Sequence, residues 1–340
     1  MGGCHATALP HDVLIDKNVD VVCVGEGEHT FLELLHAAPL TQIQGIVYKN
    51  MEGKVITNPS RPRIKNIDKL PMPAYDLLPI SQYRPAKGSY KRLPAMSMVT
   101  SRGCPGRCTF CFKTLGNQLV FKSAEKIYEE ILFLTNNYGI KQILFYDDTF
   151  TVYKNNVERL CDLLLKNHID ITWTCFARVD CVDARMLMKM HAAGCHQIMY
   201  GIENIDETVL NNINKKINIG HVYDAVRWTK DAKIECRLAF MVGNPGDTKQ
   251  IIEKNLEFLK KANPDFVIIN ITTPLPGTVM FDWAKDHDLI LTYDWDDYTL
   301  AKPVMRLENL TAEEIVSLYK LMYRGFYFRP FFILQKLFSI

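Results

Sequence analysis

The chain has 340 residues, enough for one large domain and a smaller accessory piece. Forty basic residues against 38 acidic ones leave a formal charge of +2, which argues against a nucleic-acid partner. The mean hydropathy of -0.06 is that of an ordinary soluble globular protein, with no signal peptide and no apolar run long enough to span a bilayer.

In chain order, residues 19–24 form a short apolar strand, followed by Gly25-Glu26-Gly27-Glu28-His29-Thr30 and a helix near 31–36. Hairpin-like segments follow around 45–49 and 54–58, with Glu52-Gly53 at the turn. Pro59, Pro62, Pro71, Pro73, Pro79 and Pro85 then mark an extended strap, because proline removes ladder donors and fixes φ.

Beyond residue 95 the pattern changes to β-rich runs alternating with amphipathic segments. The predicted strands are 95–100, 142–146, 171–177, 197–202, 235–242 and 266–271. The predicted helices are 123–138, 155–167, 184–193, 219–232, 248–262 and 279–286. Six such units predict an α/β fold with a parallel barrel or partial barrel, an open doubly wound sheet being the competing arrangement. The predicted organisation is therefore a front piece over 1–38, a hairpin and proline-rich connector over 39–94, a barrel over 95–288 and a helical extension over 289–340. The extension opens with the capping signature Thr311-Ala312-Glu313-Glu314 and ends in an aromatic run with basic residues. A terminal helix packed on the barrel is expected; contact with a membrane surface is the alternative.

The residues richest in chemistry lie in one loop after the first barrel strand: Cys104-Pro-Gly-Arg-Cys108-Thr-Phe-Cys111. A cubane iron–sulfur cluster normally takes four thiolates, so three at this spacing leave one iron open to a ligand. A zinc site, with four closed ligands, and a redox Cys108-x-x-Cys111 pair are the competing readings. The other seven cysteines are scattered, several in apolar strand-like runs, as suits a reducing cytoplasm better than a disulfide scaffold. The histidines show no metal-binding spacing.

With Ser101-Arg102-Gly103 ahead of it, the triplet resembles the radical S-adenosylmethionine (radical SAM) superfamily. The resemblance implies a six-unit partial TIM-type barrel and a [4Fe-4S] cluster on Cys104, Cys108 and Cys111. It implies S-adenosylmethionine (SAM) on the open iron, reductive cleavage to a 5′-deoxyadenosyl radical, and attack on an unactivated carbon of a small-molecule substrate. Methyl transfer or oxidative cyclisation would be the outcome. It also implies a low-potential electron donor, a flavodoxin or ferredoxin, and an anaerobic setting.

The same resemblance assigns further cofactor contacts. Phe110 would position the adenine, chiefly through its backbone. Asp147 and Asp148 would accept hydrogen bonds from the SAM ammonium, although Asp148 equally suits a helix N-cap. Arg178 would meet the SAM carboxylate or a substrate acid, or form a surface pair with Asp180. Glu203 would contact the ribose. Gly243, Pro245 and Gly246, in a G-x-P-G-x-T turn, would let backbone approach the ligand, or simply form a strand-to-helix turn capped by Asp247 or Thr248.

Ahead of the barrel, Gly2-Gly3-Cys4-His5-Ala6-Thr7, residues 25–31 and Leu70-Pro71-Met72-Pro73-Ala74-Tyr75-Asp76 resemble the cobalamin-associated radical SAM group. Within that group they are nearest to the anaerobic magnesium-protoporphyrin monomethyl ester cyclase and hopanoid-biosynthesis branch. The segment 1–38 reads as the remnant of a flavodoxin-like cobalamin domain whose D-x-H-x-x-G segment is missing. Strand 19–24 is then expected to lack proper neighbours, and cobalamin is expected in a full-length form but not on this chain alone. Two alternatives remain open: a cobalamin-independent radical SAM oxidoreductase, and a non-catalytic module with structural zinc.

Overall fold

The computed structural model describes residues 1–337. Its front piece holds α1 (Cys4–Ala8), α2 (Pro10–Val13), β1 (Val21–Cys23), α3 (Glu28–Leu35), β2 (Ile46–Lys49) and β3 (Val55–Thr57). The strands form one antiparallel sheet in the order β1-β2-β3, with Val21 opposite Tyr48 and Val47 opposite Thr57. This corrects the expectation that the first strand lacks neighbours: the downstream hairpin pairs with it, across residue 38. Val22, Val47, Leu14 and Ala6 pack a small core of their own beneath it. Arg102, at the entrance of the cysteine loop, ties this piece to the barrel through Glu26 at 2.7 Å and Glu28 at 2.5 Å.

The larger unit is a six-stranded parallel sheet. Its strands are β4 (Ala95–Met98), β7 (Gln142–Phe145), β8 (Thr172–Ala177), β9 (Cys195–Glu203), β10 (Glu235–Val242) and β11 (Phe266–Ile271), and the order is β11-β10-β9-β8-β7-β4. The two-residue strands β5 (Ser101–Arg102) and β6 (Val120–Phe121) pair across the base of the cysteine loop. Each strand follows its neighbour in sequence, and β4 and β11 pair on one side only. This is a partial barrel, not a doubly wound sheet whose order reverses.

Helices α4 (Ala124–Tyr138), α5 (Lys154–Lys166), α6 (Ala184–Ala192), α8 (Ile219–Asp231) and α9 (Lys249–Ala262) cover the outer face, and α7 (Glu207–Asn212) and α10 (Val279–Asp286) sit near its mouth. Starts are set by side-chain caps: Ser123 on Lys126 N–H, Asp183 on Met186 N–H, Thr248 on Ile251 N–H. Alternate strand residues such as Cys236, Leu238, Phe240 and Val242 are fully buried beneath these helices. Their neighbours, offset by one, face the barrel interior.

The proline-rich strap closes the bottom of that interior. Gln142 accepts from Lys91 N–H at 2.7 Å and donates to Ser89 C=O at 3.1 Å, and Gln197 donates to Gly88 C=O at 2.9 Å. Tyr75 fastens the strap's middle by donating to the buried Glu130 of α4.

The open edge at β11 is covered by α11 (Ala312–Tyr327), whose start carries the predicted capping box at Thr311 and Glu314. Tyr323 accepts from the N–H of Ile269 and donates to its C=O, each at 3.1 Å. Tyr327 does the same for Val267 at 2.9 and 2.8 Å. Two residues along a strand rise about as far as four along a helix, so the tyrosines match the free edge group for group. The terminal helix α12 (Pro330–Leu337) follows, with Phe326 and Phe332 buried, as expected for a packed tail. Among the described residues no helix is long and apolar enough to cross a membrane. Tyr323→Phe and Tyr327→Phe should each lower the free energy of urea unfolding by about 1–2 kcal/mol, because each strands a backbone donor and acceptor at a covered edge.

Candidate functional site

Every sequence-predicted site residue lies at or just beyond the C-terminal end of a barrel strand, the face on which such barrels gather ligands. The cysteine loop follows β4 and β5. Gly103 has φ +84°, and a Cβ there would lie 2.3 Å from the Gln118 carbonyl, so glycine is required at the loop's start. Cys104 N–H donates to Gly116 C=O, Thr109 N–H to Ile213 C=O, Met280 N–H to Thr109 C=O and the Asn214 amide to Arg107 C=O. Lys113 folds back onto the Gly106 carbonyl. The loop is thus pinned from both flanks by backbone that belongs to α7, α10 and itself.

Cys104 and Cys108 are half-buried and Cys111 is exposed; all three are free thiols. Burial pushes the Cys108 thiol up, against the pull of Lys215 and Arg178. Burial, the Asp148 charge and the other two sulfurs push Cys111 up to about 11. Cys108 and Cys111, each disfavoured as a thiolate by its sulfur neighbours, call for a cationic partner. Among the described residues no three His, Cys, Asp or Glu side chains converge closely enough to hold a single ion. A zinc ion draws its four ligands to one point, whereas a cluster takes one thiolate per iron. The donor set fits the cluster.

Asp147 corrects the sequence reading. It is buried and accepts from Thr100 N–H at 2.8 Å, Thr100 Oγ1 at 2.9 Å, Ser101 Oγ at 2.7 Å and Ser101 N–H. That carboxylate is a clamp between β7 and the strand entering the cysteine loop, not a ligand contact. Asp148 is partly exposed at the mouth and caps no helix; its carbonyl accepts from Thr149 Oγ1 at 2.7 Å, and no hydrogen bond reaches its carboxylate among the described residues. Burial raises its pKa while Lys113 opposes.

Arg178 is held bidentate by Asp180 at 2.9 and 2.8 Å, and also donates to Lys216 C=O at 2.9 Å. Its guanidinium stands against the cysteine loop, 3.7 Å from where a Cβ on Gly106 would be. The ion-pair reading of this residue holds: it is paired with Asp180, with one face turned to the cysteine loop.

Glu203 ends β9 in the left-handed region, φ +68°, a strained position for a side chain of its size. Its buried carboxylate accepts from Lys215 at 3.1 Å. Burial works against the Lys215 charge, but Glu203 and Cys108 outweigh it and hold the ammonium above its ordinary pKa. A Cβ on Gly201 would sit 2.6 Å from Glu203 Oε1 and 3.2 Å from Lys215 Nζ, so this glycine makes room for the pair. Lys215 was missed in the sequence. Its one signal was a lysine just behind the buried Ile213, in a loop with no period to follow.

Phe110 packs its ring with the cluster of Leu210, Ile213 and Met280. The turn after β10 is satisfied from within. Asp247 accepts from Gly243 N–H at 2.9 Å, Asn244 N–H at 2.8 Å and the Asn204 amide at 2.8 Å, while Asn212 donates to Pro245 C=O at 2.9 Å. Gly243 and Gly246 have φ +90° and +92°. Pro245 and Gly246 line a cavity of about 620 Å³ together with Thr109, Trp283 and His287. The cap is Thr248, as one of the two expected possibilities had it.

A cavity of about 300 Å³ separates the front piece from the cysteine loop, between Gly25, Arg63 and Gly116. That is the lower limit for a drug-sized ligand and too small for a corrin.

Comparison with known proteins gives concordant matches. The family model described as the Radical SAM superfamily matches residues 98–259. An uncharacterized methyltransferase of Pyrococcus horikoshii is 37% identical over all of this chain and 74% of its own length. The anaerobic magnesium-protoporphyrin IX monomethyl ester cyclase of Rubrivivax gelatinosus is 25% identical over 98% of this chain and 61% of its own. Among solved structures, the cobalamin-dependent S-adenosylmethionine radical enzyme OxsB, with aqua-cobalamin and S-adenosylmethionine bound, superposes with a TM-score of 0.77 at 19% identity. It covers 100% of this chain, which spans 55% of the OxsB chain.

Two measurements check the site. Lys215→Met should cost about 3–5 kcal/mol in urea unfolding, because it leaves Glu203 buried and unpaired, and Lys215→Met with Glu203→Gln should recover most of that loss. Burial pushes Asp247 up to about 6, above its unfolded value near 3.8. The fold therefore favours its protonated form, and that contribution is full below pH ~4 and lost as pH rises through about 6. Between those limits the wild type should lose on the order of 2–3 kcal/mol relative to Asp247→Asn.

Proposed function

The chain belongs to the radical SAM superfamily, and from that membership we propose that it is a SAM-dependent radical methyltransferase acting on an unactivated carbon of a small molecule. The carrying observation is the set of three free thiols, Cys104, Cys108 and Cys111, carried by one loop pinned at the mouth of an open barrel. The methyl-transfer outcome rests on the methyltransferase from Pyrococcus horikoshii that matches the whole chain. Oxidative ring closure is the second reading, supported by the cyclase relative that matches nearly as much of it.

Cys104, Cys108 and Cys111 would hold the [4Fe-4S] cluster. With SAM bound, the cluster supplies the electron that cleaves the sulfonium to a 5′-deoxyadenosyl radical. The protein's part is orientation. SAM presents an ammonium and a carboxylate together, and the mouth offers an unpaired Asp148 beside two ion pairs, Glu203–Lys215 and Arg178–Asp180. Asp148 would accept from the ammonium, and Arg178 or Lys215 would neutralise the carboxylate. Asp147 and Gly103 fix the approach of the cysteine loop, and Lys113 its return. The electron would come from a flavodoxin or ferredoxin in a reducing, oxygen-poor cytoplasm. Cobalamin enters no step assigned to these residues.

After anaerobic reconstitution with iron and sulfide and chemical reduction, the wild type should release 5′-deoxyadenosine from SAM. Cys104→Ala should bind less iron and release none. Turnover by that variant, or a protein that takes up zinc without iron and sulfide, would sink the proposal.

A further inference from the structure

One row of interior side chains crosses all six strands of the barrel. The register places Phe176 beside Met199, Met199 beside Arg237 and Arg237 beside Phe266. Tyr146 extends the row, its ring meeting Phe176 edge-on at 5.3 Å, and Val99 follows next to it, where Tyr146 N–H bonds the Met98 carbonyl. These are not core residues. Their helix-facing neighbours Met98, Phe145, Cys175 and Ile198 are at most 2% exposed, whereas Val99 and Tyr146 are 53% and 47% exposed inside the barrel. Apolar side chains left this open on the concave face of an unclosed sheet are surface for a ligand to cover, not packed interior.

Five of the six are apolar or aromatic, and the sixth is a cation. Arg237 stacks over the Phe266 ring at 5.2 Å. Its one hydrogen bond among the described residues runs from Nη2 to the strap carbonyl of Gly88 at 2.7 Å, and its Nε is buried with no partner. Glu235, two residues down the same strand, gives its carboxylate to Gln197 at 2.9 Å instead. A half-buried guanidinium without a carboxylate partner is costly to keep, and a planar acidic group is the ligand its fork matches. Arg178 and Gly201 stand two residues further along their strands from Phe176 and Met199, so this end of the row lies about 7 Å below the mouth, and the row slants down to Arg237, six residues before Gly243 and next to the strap.

We propose that this row is the substrate chamber, and that it takes an elongated apolar or aromatic molecule whose acidic end is read by Arg237. The inference rests on the mouth being the SAM site, and it adds the class of molecule beneath it. The body lies along Val99, Tyr146, Phe176 and Met199, which holds its carbon–hydrogen bonds under the cysteine loop against apolar side chains. The anion selects orientation, because only one end of the molecule can meet the single cation of the row.

Two fluorescent probes of matched shape test this without cluster or SAM: anilinonaphthalene sulfonate and its uncharged parent, N-phenylnaphthylamine. The wild type should bind the sulfonate about tenfold more tightly than the parent. Arg237→Gln should erase that preference and leave the parent within about twofold, Arg237→Lys should retain part of it, and Val99→Trp should expel both probes. Arg306→Gln, in the cavity beside Trp283, should change neither. A preference that survives Arg237→Gln, or sulfonate binding that follows Arg306, overturns the inference; should Arg237→Gln not fold, unchanged binding in Val99→Trp does so alone. Because the probes need no cofactor, failure here leaves the deoxyadenosine assay intact, and failure of that assay leaves this result readable.

Discussion

A single buried carboxylate, Asp147, holds the entrance of the cysteine loop, and the rest of the site depends on it. Two backbone N–H groups and two hydroxyls from Thr100 and Ser101 converge on it. Burial alone would favour the neutral acid, and four donors favour the carboxylate; the clamp exists because the donors belong to the chain that must turn. Three residues further on, the loop carries its first sulfur. A loop long enough to present three cysteines has many conformations available, and ordering it is the main thermodynamic obstacle. Asp147, the left-handed Gly103 and the backbone bonds to Ile213 and Met280 offset that cost from within the protein.

The electrostatics of the mouth follow from the sulfurs. Three thiolates side by side repel one another, and the protein sets cations around them in fixed positions: Lys215 and Arg178 near Cys108, and Lys113 near Cys111. Each cation is itself held by an anion or a carbonyl. The left-handed φ of Glu203 and the bare Cα of Gly201 are the local distortions that let a lysine and a glutamate occupy one buried spot. Strain of this kind is retained where the arrangement is used.

How much of this was legible follows from which features leave a periodic or spaced trace. The barrel strands are apolar runs between amphipathic segments, so their positions and the capping box at Thr311 could be read directly, whereas their order could not be told from a doubly wound sheet. The cysteine triplet could be read because its spacing is local. The front strand was misjudged because an apolar run does not say whether its partner is parallel or antiparallel, nor that the partner lies in the hairpin beyond α3. Asp147 and Asp148 are adjacent and chemically identical. Only packing distinguishes a clamp from a free carboxylate, since neighbouring strand residues point to opposite faces. The glycines of the turn after β10 read as a ligand cradle, yet Asp247 and Asn212 already satisfy that turn.

Openness of the barrel ties these observations together. A six-stranded sheet that does not close leaves two edges, and an exposed edge is a liability unless it is covered. At β11 the cover is Tyr323 and Tyr327, whose hydroxyls replace the missing strand. Below, the strap at Gly88 replaces the bottom of the barrel through Gln142, Gln197 and Arg237. Arg237 thus has a second role besides facing the chamber: its bond to Gly88 makes the floor. A fully packed barrel would need neither device, because its interior side chains would meet at the axis. This interior is roofed by a loop of sulfurs, floored by a strap and lined by Tyr146, Phe176 and Phe266, none of them fully buried, and hydrogen bonds at the rim and the base do the closing that a packed interior otherwise would.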